Sequence, residues 1–148
     1  MLLLFLFFLY LMFSNEGFKV NDTLGICSRD PLTGYMRDGK CSLIDDDKGT
    51  HTVCGEVTQG FLEFSKKKGN NLIDPSESFP GLEDGNHWCL CANRWKEAFL
   101  CAEDDSCHEL DPGDVPKINL DATHIKTFDF VPELYDSEIR EKYIKDIY

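Results

Sequence analysis

The sequence predicts an α+β fold, a compact single domain with short strands and many loops. Three observations carry this. At 148 residues the chain is long enough for one modest hydrophobic core and little more. With 42% hydrophobic and 28% charged residues it has the balance of a folded protein rather than a disordered one. Helix-period and alternating stretches mix along it without a strand–helix–strand rhythm, and no internal repeat is visible.

Met1 to Phe13 is almost wholly apolar. The run is too short to cross a bilayer, which needs about 20 residues, but it suits the apolar region of a secretory leader. No Lys or Arg precedes it, and the cleavage positions after Ser14 or Gly17 lack the usual small-residue pattern. Residues 1–17 are therefore expected to be a signal peptide and 18–148 the domain, secreted or lumenal, with no membrane span in the mature chain. Asn21-Asp22-Thr23 is a glycosylation sequon directly after it.

From Gly25 the chain is turn-rich. Asp30-Pro31, Thr33-Gly34 and Asp38-Gly39 punctuate a short expected strand at Tyr35–Arg37. Cys27 and Cys41 flank this segment and are placed to staple it; Arg29, Asp30, Arg37 and Asp38 read as solvated charges. Asp45-Asp46-Asp47 lacks the alternating oxygens and closing glutamate of a calcium loop and reads as an acidic surface turn. His51 to Val57 alternates as a strand, which puts His51 and Cys54 on opposite faces.

Thr58 caps a helix running through Lys68, with Phe61, Phe64 and Ser65 inward and Gly69 as its stop. The Lys66-Lys67-Lys68 run suits the helix C-terminus. A Pro-, Ser- and Gly-rich loop at Asn70–Asp84 follows, anchored by Phe79-Pro80-Gly81-Leu82. After His87 to Cys91 comes a helix with Trp95, Ala98, Phe99 and Ala102 on one side. Were it to begin nearer Asn86, Cys89 and Cys91 would both lie in its first turn. An acidic loop separates Cys101 from Cys107. Ile118, Leu120, Ala122 and His124 alternate as a strand, with Phe128 and Phe130 continuing the parity, and Val131 to Ile147 suggests a broken helix.

Seven strings occur in order: CSRDPLTGYMRDGKC (Cys27–Cys41), GTHTVC (Gly49–Cys54), FLEFS (Phe61–Ser65), GNNL (Gly69–Leu72), FPGL (Phe79–Leu82), WCLCANRW (Trp88–Trp95) and DATH (Asp121–His124). Together they closely resemble the mostly bacterial family catalogued as domain of unknown function 2237, from about Leu24 to Val131. The resemblance implies a two-layer α/β arrangement and no established activity. Two departures stand out. Gly85-Asn86-His87-Trp88 replaces the family's G-D-R-W, and the Cys101–Cys107 segment is an insert. Because family members look cytosolic, where stable disulfides are rare, two cysteines arriving together imply a Cys101–Cys107 bridge suited to an oxidising compartment.

Seven cysteines are an odd number, so at least one is free, metal-bound or paired between chains. On a strand, Cys89 and Cys91 share a face with Cα atoms about 6.6 Å apart, too far for an unstrained mutual bond. Three readings remain open. The first is a disulfide-stabilised, non-enzymatic domain that binds a small ligand or protein partner. The second is a zinc or copper centre drawn from Cys89, Cys91, Cys54, His51, His87 and His124. The third is thiol or redox catalysis at Cys89, Cys91 or Cys54.

His51, His87, Arg94, Trp88, Trp95 and His124 are the ligand-binding candidates. For His124, in phase with apolar residues, the plainer role is a hydrogen-bonded core histidine; for Arg94 it is an acidic partner or an indole to stack on. A net charge of −12 repels phosphate backbones, so nucleic acid is not an expected partner. No Ser-His-Asp order, phosphate loop or dinucleotide fingerprint is present.

Overall fold

Strand β1, Val53–Glu56, lies at the centre of a three-stranded antiparallel sheet. The computed structural model describes residues 19–145, and the leader expected at 1–17 lies outside them. Strand β2, His87–Leu90, pairs with β1 in the register Val53↔Leu90, Cys54↔Cys89, Gly55↔Trp88 and Glu56↔His87. Strand β3, Lys117–Ile118, flanks the other edge of β1, with Gly55 opposite Ile118. Gly55 has a packing reason: a Cβ there would lie 2.8 Å from a Leu90 methyl and 3.0 Å from the Pro116 ring.

Side chains alternate across a strand, and here the alternation separates two chemistries. Val53, Trp88, Leu90 and Ile118 join the apolar core with the helices, whereas Cys54 and Cys89 project to the opposite face with Cys27, Cys41 and Ala122. One layer is therefore helical, and the other is a sheath of N-terminal loops held by sulfur.

Helix α1, Gln59–Lys67, begins as its sequence requires, with Thr58 Oγ1 accepting the Phe61 N–H at 3.1 Å. It buries Phe61, Leu62, Phe64 and Ser65 and ends at Gly69, whose φ of +90° favours glycine. Helix α2, Ala92–Glu103, buries Trp95, Ala98 and Phe99. The Trp95 indole is fully buried and donates to the Pro116 carbonyl at 2.8 Å, which removes the cost of hiding its N–H. Two short helices, α3 (Thr127–Phe130) and α4 (Ser137–Tyr143), close the core, with Tyr143 edge-on to Trp95 and Phe99 at 5.9 and 5.4 Å.

Three expected strands are shorter or absent. Tyr35–Arg37 is a turn, because Gly34, Arg37 and Gly39 all take positive φ and cannot continue a ladder. The strand expected from His51 starts at Val53, since Thr50 is at φ +50° and the His51 N–H is taken by Asp47. The alternation of Ile118 to His124 yields only β3. The Asn119 side chain accepts the Asp121 N–H and caps a 3-10 turn at Leu120–Ala122, and Phe128 sits in helix α3. No described helix is long and apolar enough to cross a membrane.

A candidate thiol site beside a small cavity

Six of the seven cysteines form disulfides: Cys27–Cys54, Cys41–Cys89 and Cys101–Cys107, with Sγ–Sγ distances of 2.02, 2.06 and 1.98 Å. Cys27 and Cys41 do not staple their own loop. Each reaches a different strand of the sheet, because Cys54 and Cys89 are cross-strand partners presenting their sulfurs to the same side. Two buried hydroxyls complete the arrangement. Thr123 Oγ1 accepts the Cys54 N–H at 3.0 Å and Thr33 Oγ1 the Cys89 N–H at 2.9 Å.

The free cysteine is Cys91. It lies beyond β2 at the N-cap position of α2, half-buried, and its thiol donates to the Gly49 carbonyl at 2.8 Å rather than to the helix. Cys89 and Cys91 are not bonded to each other, but neither do they act as a pair, since Cys89 is committed to Cys41.

The loop carrying Gly49 and His51 is shaped by Asp47. This carboxylate accepts from the Gly49 N–H (3.1 Å), the His51 N–H (2.8 Å) and His51 Nδ1 (2.7 Å). Asp47 is buried, so it is no surface acid; Asp45 and Asp46 beside it are exposed. The Ala92 N–H at the start of α2 donates to the Thr50 carbonyl at 3.1 Å and docks the loop on the helix. Gly49 separates imidazole from thiol so closely that a Cβ would stand 2.5 Å from His51 Cε1 and 3.0 Å from Cys91 Sγ. Glycine is required there for space.

His51 titrates above its ordinary 6.5, at about 8. Its hydrogen bond with Cys91 contributes most, burial opposes the shift, and Asp47 adds to it. Cys91, His51 and Asp47 thus lie together, the His51 ring between a free thiol and a buried carboxylate. At the start of α2, Ala92 donates to Thr50, and Arg94 and Trp95 both donate to the Cys91 carbonyl. That leaves the Asn93 N–H as the one of the first four without a backbone acceptor among the described residues.

A cavity of about 390 Å³ is lined by His51 together with Trp88, Phe79, Leu72, Arg37 and Tyr35. Phe79 meets Trp88 edge-on at 5.3 Å, and the Arg37 guanidinium lies 5.1 Å above the Trp88 ring.

The other candidate residues lie elsewhere. His87 sits 3.5 Å from Glu56 on the surface, Arg94 pairs with Glu97 at 3.1 Å, and Trp95 is core. His124 is buried, its Nδ1 accepting the Lys126 N–H at 3.0 Å, and burial followed by the Lys126 charge holds its pKa below the usual value. The sequon residue Asn21 clamps Leu43, donating to its carbonyl at 2.9 Å and accepting its N–H at 2.7 Å.

Cys89, Cys91, Cys54, His51 and His124 do not converge as a ligand set. The tight group among the described residues is Cys27, Cys41 and Cys54, with sulfurs within 4.8 Å of one another, and all three are spent in disulfides. As oxidised, those sulfurs do not fit a metal, because ligation needs thiolates. Asp47, Gly49 and Arg37 were not among the expected site residues. The Asp47-to-His51 spacing with a glycine between them was the available signal.

A search of curated proteins finds no match. Residues 19–136 match the family model described as "Uncharacterized protein conserved in bacteria (DUF2237)", and the chain belongs to that family.

Proposed function

We propose that this disulfide-stabilised domain is a thiol-dependent enzyme acting on a small acyl substrate, with Cys91 as nucleophile, His51 as base and Asp47 as the group orienting His51. One observation carries the reading: the free cysteine lies beside an imidazole whose Nδ1 is 2.7 Å from a buried carboxylate, so close that a Cβ on Gly49 would stand 2.5 Å from His51 Cε1 and 3.0 Å from Cys91 Sγ. The resting thiol proton lies toward the Gly49 carbonyl, so activation requires the sulfur to turn from that acceptor to His51.

Neutral His51, the form that prevails above pH about 8, then takes the proton and the sulfur attacks the acyl carbon. The open Asn93 N–H at the positive end of α2 is the donor this reading assigns to the developing oxyanion. Return of the proton from His51 to the leaving group yields a thioester. Water, deprotonated by His51, hydrolyses it to the free acid and restores the thiol.

The rate at which iodoacetamide alkylates Cys91 tests this. It should fall at least tenfold in His51→Gln while the fold persists, and Cys91→Ser should abolish it. Equal rates in the wild type and His51→Gln overturn the proposal.

Three disulfides support an oxidising compartment, with residues 1–17 as the leader that delivers the chain there. The N-terminus of protein recovered from culture medium, read by mass spectrometry, tests this; an intact Met1 in protein retained by cells refutes it.

A second reading rests on the convergence of Cys27, Cys41 and Cys54. After reduction, these thiols with Cys89 would offer a soft site suited to zinc or copper. Stoichiometric zinc in reduced, dialysed protein supports it; no bound metal refutes it.

A further inference from the structure

The cavity beside His51 has a charge pattern unlike the rest of the molecule. The chain carries 27 acidic against 15 basic residues, yet the charged groups lining this cavity are Arg37 and His51, with no carboxylate among them. Arg37 has no ion-pair partner among the described residues. One of its five N–H donors is committed, to the Gly34 carbonyl at 2.6 Å, and the guanidinium is steadied over Trp88 at 5.1 Å.

Arg37 also takes φ +53°, a conformation that glycine adopts without the steric cost an arginine bears. An exposed, strained arginine with free donors, fixed at the mouth of a cavity, is a group held in place for what it meets there.

On the thiol reading above, we propose that this cavity selects acyl compounds bearing one carboxylate. The charge rests on Arg37 and an apolar or aromatic body lies against Trp88 and Phe79, with the acyl carbon at the His51 wall of the cavity. A single negative charge suits one guanidinium within a strongly acidic protein, where a second would be repelled. The volume of about 390 Å³ sits near the lower end of the roughly 300–1,000 Å³ of small-molecule sites, so the compound is small.

Two alkylating agents of nearly equal size, iodoacetate and iodoacetamide, separate this proposal from the one it rests on. Iodoacetamide reads the thiol alone, and the ratio of the two rate constants reads the anion site. On the full chain, Arg37→Gln should lower the iodoacetate-to-iodoacetamide ratio about fivefold. Lys67→Gln, which removes the same charge from α1, should leave the ratio as it is.

Arg37→Gly relieves the backbone, so it should lower the ratio equally while melting no lower than wild type. Equal ratios in wild type and both Arg37 variants, or a drop matched by Lys67→Gln, overturn the proposal. Binding of N-benzoylglycine, followed through Trp88 fluorescence in Cys91→Ala, reads the cavity with no thiol present. Binding there weakened by Arg37→Gln sustains the anion site even where the alkylation rates refute the thiol chemistry. No difference from the neutral N-benzoylglycinamide overturns it.

Discussion

Replacing Cys91 with serine tests whether sulfur and imidazole form one system. His51 titrates at about 8 against an ordinary 6.5, and the hydrogen bond with Cys91 is the largest cause. At about 1.4 kcal/mol per unit, the shift corresponds to about 2 kcal/mol between the two protonation states. The His51 side chain is 37% exposed, and solvent screening reduces the stability contribution to about 1 kcal/mol.

Cys91→Ser removes the sulfur and its interaction with His51, while Asp47 and burial remain. His51 should therefore titrate nearer 6.5. Proton–carbon NMR of the imidazole Cε1–H groups measures this, with His51 assigned by the signal lost in His51→Gln and His124 separated by its lowered pKa. A His51 that still titrates at about 8 in Cys91→Ser would refute the coupling and leave Asp47 as the sole cause.

Because the folded-state value is raised, the His51 contribution is fully present below pH 6.5 and is lost as pH rises through about 8. The melting-temperature gap between wild type and His51→Gln should accordingly be widest near pH 6 and close above pH 8.5. Gly49→Ala should slow iodoacetamide alkylation at least tenfold, since its Cβ displaces the imbedded ring 2.5 Å away; an unchanged rate would show the loop moves freely. Cys41→Ala with Cys89→Ala opens a loop of sequence separation 48, against 6 for Cys101→Ala with Cys107→Ala. Loop-closure entropy alone gives about 4 and about 2 kcal/mol, so denaturant melts should rank them in that order, and the reverse ranking would sink the entropic account.

Local features were legible in the sequence because their causes are local. Thr58 and Gly69 bracket α1 by cap chemistry that needs no partner elsewhere, and the Trp95, Ala98, Phe99 spacing marks the inner face of α2 from its 3.6-residue period alone. The alternation at Ile118 to His124 misled for the opposite reason: one side-chain cap, Asn119, outweighed the period-2 pattern. Asp47 looked like one of three surface acids, because nothing within the Asp-Asp-Asp run distinguishes the residue that turns inward.

The sequence by itself determined the family, the mixed fold class, the two main helices, and that seven thiols leave at least one outside intramolecular disulfides. Which thiol stays free was decided by tertiary structure. Sulfurs pair according to which strand faces which loop, and β1–β2 pairing brings Cys54 beside Cys89 under Cys27 and Cys41, residues 27 and 48 positions away along the chain. Cys91, one step past the end of β2, leaves the sheet as α2 begins and meets His51 instead.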